Sequence, residues 1–208
     1  MKKLSLLVGL AALGLTACED AIGPGTALTA DEMTGLSDAM IAEVYAITGD
    51  YAAQAMTAAD PEGAASGIVA DVTATTDFTI TRTCPAGGEI VVEGTRVRVR
   101  DPETRSGSMD LDMTKTHDAC ARQVRRATVT LTGQPHIAVV AHHGWEDGVL
   151  AGLQTLSLDG GFAWTSDDDR SGECVVDLDV QFDPDARTRT VSGTFCNRTI
   201  DATTTWTS

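Results

Sequence analysis

The chain has 208 residues, with 30 Asp and Glu against 15 Lys and Arg, and a formal charge of −15. A field of that sign repels DNA, RNA and anionic head groups, which excludes nucleic acid as a partner. Hydrophobic residues make up 42% but aromatic ones only 4%, so one domain must build its core from Val, Leu, Ile and Ala around Trp145, Trp164 and Trp206.

Lys2 and Lys3 precede an apolar run over residues 4–15, broken only by Ser5. A positive start and a run this short read as a secretory signal, not a spanning helix. The run ends in Leu15-Thr16-Ala17-Cys18. Those four residues resemble the lipobox of bacterial lipoproteins: an aliphatic residue, two small ones, then Cys. The resemblance covers residues 1–18. It implies that residues 1–17 are removed and that Cys18 carries a diacylglyceryl group and an amino-terminal acyl chain such as palmitate. The protein is then expected in a bacterial cell envelope, with the membrane as a partner through its lipid. Glu19 follows Cys18 where an Asp would mark retention at the inner membrane. That favours the outer membrane, with the domain facing the periplasm or the cell surface. Several acyl chains on one residue attach durably, since each buried CH2 contributes about 0.8 kcal/mol. Residues 18–30 hold Gly and Pro without periodicity and read as a tether.

Thr29-Ala30-Asp31-Glu32 has the form of a capping box, with Thr29 as N-cap and Glu32 reaching back. Met33, Leu36, Met40, Val44 and Ile47 then recur every three or four residues, and Ile41 and Tyr45 widen the stripe. The segment 31–59 is therefore predicted as an amphipathic helix, with a plausible stop at Gly49-Asp50 and a further turn or two beyond. Its polar face has no Lys or Arg, so the stripe is expected to pack on a sheet and not on a membrane.

Residues 60–67 read as a linker, and from 68 to 208 the period changes to two, predicting an antiparallel β domain. In a hairpin over residues 90–114, Val97 and Val99 are expected to face Leu111 and Met109 on the dry side. Arg96 and Arg98 would meet Asp112 and Asp110 on the wet side. Residues 117–126 read as a polar connection and 142–148 as a turn. Asp159-Gly160-Gly161 reads as a tight turn between strands.

The strand over 174–182 has Cys174, Val176, Leu178, Val180 and Phe182 on one face. Its return strand poses a conflict. Placing Cys174 opposite Cys196 sets Val176, Leu178 and Val180 against Thr194, Ser192 and Thr190. Shifting by one restores Phe195 to Val176 and Val191 to Val180 but misplaces Cys196. A bulge near Gly193 would reconcile the two. Val92-Glu93-Gly94-Thr95, Leu131-Thr132-Gly133-Gln134 and Val191-Ser192-Gly193-Thr194 form a faint echo, expected where a sheet curves.

Apart from Cys18, the cysteines are Cys84, Cys120, Cys174 and Cys196. Four in an exported chain suggest two disulfides. The hairpin predicts Cys174 with Cys196, which leaves Cys84 with Cys120; two other connectivities remain open.

No Gly-x-Ser-x-Gly elbow, P-loop, His-Glu-x-x-His or dinucleotide glycine fingerprint is present, so no catalytic residue and no cofactor is assigned. His142, His143 and Asp147 are weak metal candidates, because adjacent histidines on a strand point to opposite faces. Asp167, Asp168 and Asp169 lack the spacing of a calcium loop and read as a solvated turn. Asp177 and Asp179 are expected to be neutralised by Arg187 and Arg189 across the hairpin.

The expected fold is mainly β: an antiparallel up-and-down curved sheet or partly open barrel with one N-terminal amphipathic helix. A two-sheet β-sandwich is the alternative. The expected function is a non-catalytic structural or protein-interaction role in the envelope. The alternative is a carrier for a small hydrophobic ligand or lipid, seated on the curved sheet.

Overall fold

The computed structural model describes residues 27–57, 72–101, 103–133 and 136–206. The signal segment, Cys18 and most of the tether lie outside the described residues, as does the expected linker at 60–67.

One helix, α1, runs Ala30–Thr57. The capping box forms: Thr29 N–H donates to Glu32 Oε2 (2.8 Å) and Glu32 N–H donates to Thr29 Oγ1 (3.3 Å). The helix does not stop at Gly49-Asp50. It continues for two turns because Ala52 and Ala55 extend the buried face. On a helical wheel the buried apolar residues cover roughly 160°, wider than the minimal stripe of a surface helix. Leu36, Met40, Ile41, Val44 and Ile47 are all buried in one core with the strands, each contributing about 1.5–3 kcal/mol.

Eleven strands follow: β1 (Val72–Thr83), β2 (Glu89–Asp101), β3 (Ser106–Asp118), β4 (Cys120–Val124), β5 (Ala127–Thr132), β6 (Ile137–Glu146), β7 (Val149–Leu150), β8 (Gln154–Ser166), β9 (Ser171–Asp183), β10 (Thr188–Phe195) and β11 (Arg198–Thr205). They form a single antiparallel sheet in the order β1-β2-β3-β6-β8-β9-β10-β11, so the sandwich alternative falls. The β4–β5 hairpin joins through β5 to β8, and β7 pairs with β6. Among the described residues β1 and β11 each pair on one side only, and the sheet is not closed.

Several sequence expectations are corrected. Residues 117–126 are not a plain connection, because β4 forms there and pairs with β5. The segment 142–148 is mostly strand, with Asp147 and Gly148 alone making the turn at positive φ. Gly160 is a bend inside β8, not a hairpin turn. At Gly160 the strand parts from β6 and goes on to pair with β5. Gly160 has φ +136° and a Cβ there would lie 2.1 Å from His136 O, so only glycine fits.

The β2–β3 register also differs by one residue from expectation. Arg98 pairs with Met109 and Arg96 with Leu111, while Val97 faces Asp110. The arginines therefore lie on the inner face, in line with buried Ile90 and Val92. The reason is the end of α1, whose last turn has no basic residue. Arg98 Nη1 donates to Ala55 O (3.3 Å), and Arg96 sits 5.1 Å from the ring centre of Tyr51. A cation at a helix C-terminus is favoured by the helix dipole.

The β9–β10 hairpin adopts the shifted register, with Phe195 opposite Val176 and Val191 opposite Val180. No extra residue is inserted. Gly193 takes φ +128° in an unbroken ladder, and Cys196 leaves the ladder to form the turn with Asn197, both at positive φ. From that turn Cys196 reaches Cys174, with Cα atoms 4.3 Å apart. The second disulfide joins Cys84 to Cys120. The three echo glycines share one property: a Cβ on Gly94, Gly133 or Gly193 would come 2.4, 2.7 or 2.1 Å from a neighbouring backbone atom.

α1 lies across the inner face. It begins beside β11, where Arg198 Nη1 donates to Ala30 O (3.2 Å), and ends beside β1, where Tyr51 packs on Phe78. Its acids meet bases from the strands and loops. Arg170 donates to both oxygens of Glu32 (2.8 and 2.9 Å), Lys115 and Arg122 bind Glu43, and Arg82 binds Asp50 (3.1 Å). An acidic helix is thus held against a sheet face rich in arginine.

Candidate functional site

The residues with chemical potential divide into three groups. The first is the buried cluster under the middle of α1. Lys115 and His117 project inward from β3, Arg122 from β4, and Glu43 from the helix. Burial pushes the Glu43 carboxyl up, but Lys115 and Arg122 outweigh it and hold it below the usual carboxylate range. Burial lowers Lys115 despite Glu43. Burial, reinforced by Lys115, takes His117 down to about 3, so its ring is neutral and packs edge-on to Phe162. This cluster is spent on docking the helix.

The second group holds the candidate metal ligands. His142 and His143 point to opposite faces of β6, and Asp147 sits in the turn beyond them. His142 is exposed and bonds Asp110 Oδ1 (2.7 Å). His143 is buried, and its Nδ1 bonds Gln154 Oε1 (3.2 Å). The Gln154 oxygen also accepts from Gly144 N–H, and its amide nitrogen donates to Ala151 O (2.8 Å). That orientation makes Nδ1 the donor and leaves Nε2 of His143 as an acceptor without a partner among the described residues. The three candidates therefore do not converge. Asp167, Asp168 and Asp169 form the exposed turn expected, and Asp168 has a partner within it. Asp168 binds Arg170 (2.8 Å), which ties the β8–β9 loop to the start of α1. Asp177 and Asp179 face Thr194 and Ser192, not Arg187 and Arg189, because the shifted register turns Arg189 inward opposite Phe182.

The third group was not singled out from the sequence. α1 leaves open a groove lined by β10, β11 and the end of β9. Arg189 spans it, its Nη2 4.0 Å from Asp38 Oδ1. On one side of Arg189 lies a mixed cleft of about 410 Å³, bounded by Met33, Ser37, Val191, Arg198 and Asp201. On the other lies an apolar cleft of about 390 Å³, bounded by Ile41, Tyr45, Ala46, Phe182 and Trp206. Each volume lies in the range of small-molecule sites, which run from about 300 to 1,000 Å³. Trp206 stacks on Phe182 at 4.6 Å and 8°, and Phe182 leans on Tyr45 at 5.5 Å. Burial raises the Tyr45 phenol. Behind Tyr45 and Phe182 is a void of about 10 Å³ lined also by His143 and Gln154, about the volume of one water. Arg189 Nε is shut off from solvent and has no hydrogen-bond partner among the described residues. A buried donor left unmet costs about 1–3 kcal/mol.

The alternation of Ile200, Ala202, Thr204 and Trp206 was readable as a strand. The groove was not, since it needs the face of Arg189, and that face is fixed by a register the sequence left in conflict.

No protein-family model matches the chain, and comparisons with curated proteins and with solved structures return no match. The two disulfides fit an oxidising, extracytoplasmic location. Among the described residues no helix is long and apolar enough to cross a membrane.

Proposed function

We propose that the protein is a lipid-anchored component of a bacterial cell envelope, with a structural or protein-interaction role and no catalysis. The observation that carries this reading is the use made of the inner face. α1 crosses it, and the buried Glu43, Lys115 and Arg122 are consumed in holding the helix there. The lipobox at residues 15–18 and the pair of disulfides supply the anchor and the compartment. The outer membrane is the proposed site, from Glu19. Intact mass of the detergent-extracted protein tests the anchor. The expected mass is that of residues 18–208 with two disulfides and attached acyl chains, and Cys18→Ser is expected to abolish the lipid. A chain retaining Met1 and found in the cytosol overturns the proposal.

A second reading, binding of a small apolar ligand, is favoured by one observation: the open apolar groove between Tyr45 and Trp206, bounded at one end by Arg189.

A further inference from the structure

The apolar half of the groove has a specific charge pattern. Among the described residues Arg189 is the one charged residue that bounds it. The guanidinium is a planar fork that matches a carboxylate with two parallel hydrogen bonds. The Arg189 side chain is 36% exposed, and its contact with Asp38 Oδ1 is a long 4.0 Å, so the guanidinium has room for a closer carboxylate. The walls beyond it are the rings of Tyr45, Phe182 and Trp206 and the aliphatic side chains of Ile41 and Val180. An apolar body with one anionic end fits this pattern. The formal charge of −15 penalises every added negative charge, which favours a monoanion over a phosphomonoester.

We infer that this groove binds a fatty acid, with the carboxylate on Arg189 and the chain laid along Tyr45, Phe182 and Trp206. The inference deepens the ligand-binding reading and is independent of the lipid anchor, so either can fail alone. The ligand lies in the groove beside α1 and requires no displacement of the helix.

The test is calorimetric titration of the purified full chain with dodecanoate below its micelle-forming concentration, beside dodecanol and dodecyl phosphate. Trp206 is 37% exposed, whereas Trp145 and Trp164 are buried, so its emission reports occupancy and Trp206→Phe identifies the signal. Saturable dodecanoate binding is expected, tighter than that of either other compound. Arg189→Gln is expected to weaken dodecanoate at least tenfold and to leave dodecanol unchanged. Ala46 is exposed on the helix and borders the apolar half, so Ala46→Trp is expected to block dodecanoate without touching the core. It carries the test if Arg189→Gln fails to fold. Equal binding of dodecanoate and dodecanol, tighter binding of dodecyl phosphate, indifference to both substitutions, or no binding at all overturns the inference. The mass measurement above would stand in each case.

Discussion

Glu32 does three things at once. It closes the capping box, receives both arms of Arg170, and so joins the start of α1 to the β8–β9 loop. The hydrogen bonds from Arg170, against burial and with help from Thr29, hold its carboxyl down to about 2. A depressed acid stabilises the fold above its unfolded pKa, and that stability is lost as pH falls from about 4.5 towards 2. Glu32→Ala is expected to cost roughly 1–3 kcal/mol, from the lost cap and the lost charge-assisted hydrogen bonds, because Arg170 keeps Asp168. Urea unfolding at pH 7 would show it, and the variant's stability would fall less steeply in acid. His117 works in a higher window. Its ring is neutral when folded, with a pKa of about 3 against 6.5 unfolded. Its contribution is intact above pH 6.5 and is lost between 6.5 and 3, at up to about 1.4 kcal/mol per pH unit. His117→Leu should flatten that part of the stability curve. The Glu43 cluster is asymmetric: Glu43→Gln leaves Lys115 and Arg122 facing each other and should cost roughly 3–5 kcal/mol. Lys115→Met leaves Glu43 its Arg122 and should be much milder.

At the scale of elements, the hairpins show what could be read ahead and what could not. The capping box and the stripe from Met33 to Ile47 depend on neighbours three and four residues apart, and both appear as expected. The face of the β2 arginines depends on the C-terminal end of α1, more than forty residues earlier in the case of Arg98 and Ala55. Hydrophobic alternation alone assigns Val97 and Val99 to the core, and the unpaired carbonyls of the helix reverse that. In β9–β10 both registers were visible, but the choice lay in a backbone angle. Cys196 reaches Cys174 by turning left-handed, which no side-chain pattern encodes. Gly193→Ala puts a methyl 2.1 Å from Asp177 O at φ +128°. It is expected to cost at least about 1–3 kcal/mol, read as a lowered urea midpoint. Each disulfide closes a loop, of 36 and 22 residues' separation. Replacing either pair with Ser should cost roughly 3–4 kcal/mol.

For the whole molecule, charge is sorted by face. The chain is strongly acidic, yet Arg96, Arg98, Lys115 and Arg189 look inward at a helix with five acids and no base. Helix and sheet are therefore mutually dependent: without α1 the inner face would expose a broad surface both apolar and cationic. A chain beginning after Thr57 is expected to be insoluble or unfolded, which circular dichroism and size exclusion would report.

The open outline of the sheet has a further consequence. Its first and last strands differ, so a neighbour that docked its β1 on another's β11 would present a fresh β11 in turn. Such growth has no natural terminus and yields a filament, not a closed ring or pair. Asp77 and Arg82 along β1 and Asp201 along β11 are the kind of charged edge that discourages this stacking. Neutralising them should make the protein fibrillate on storage, visible as rising light scatter and thioflavin fluorescence.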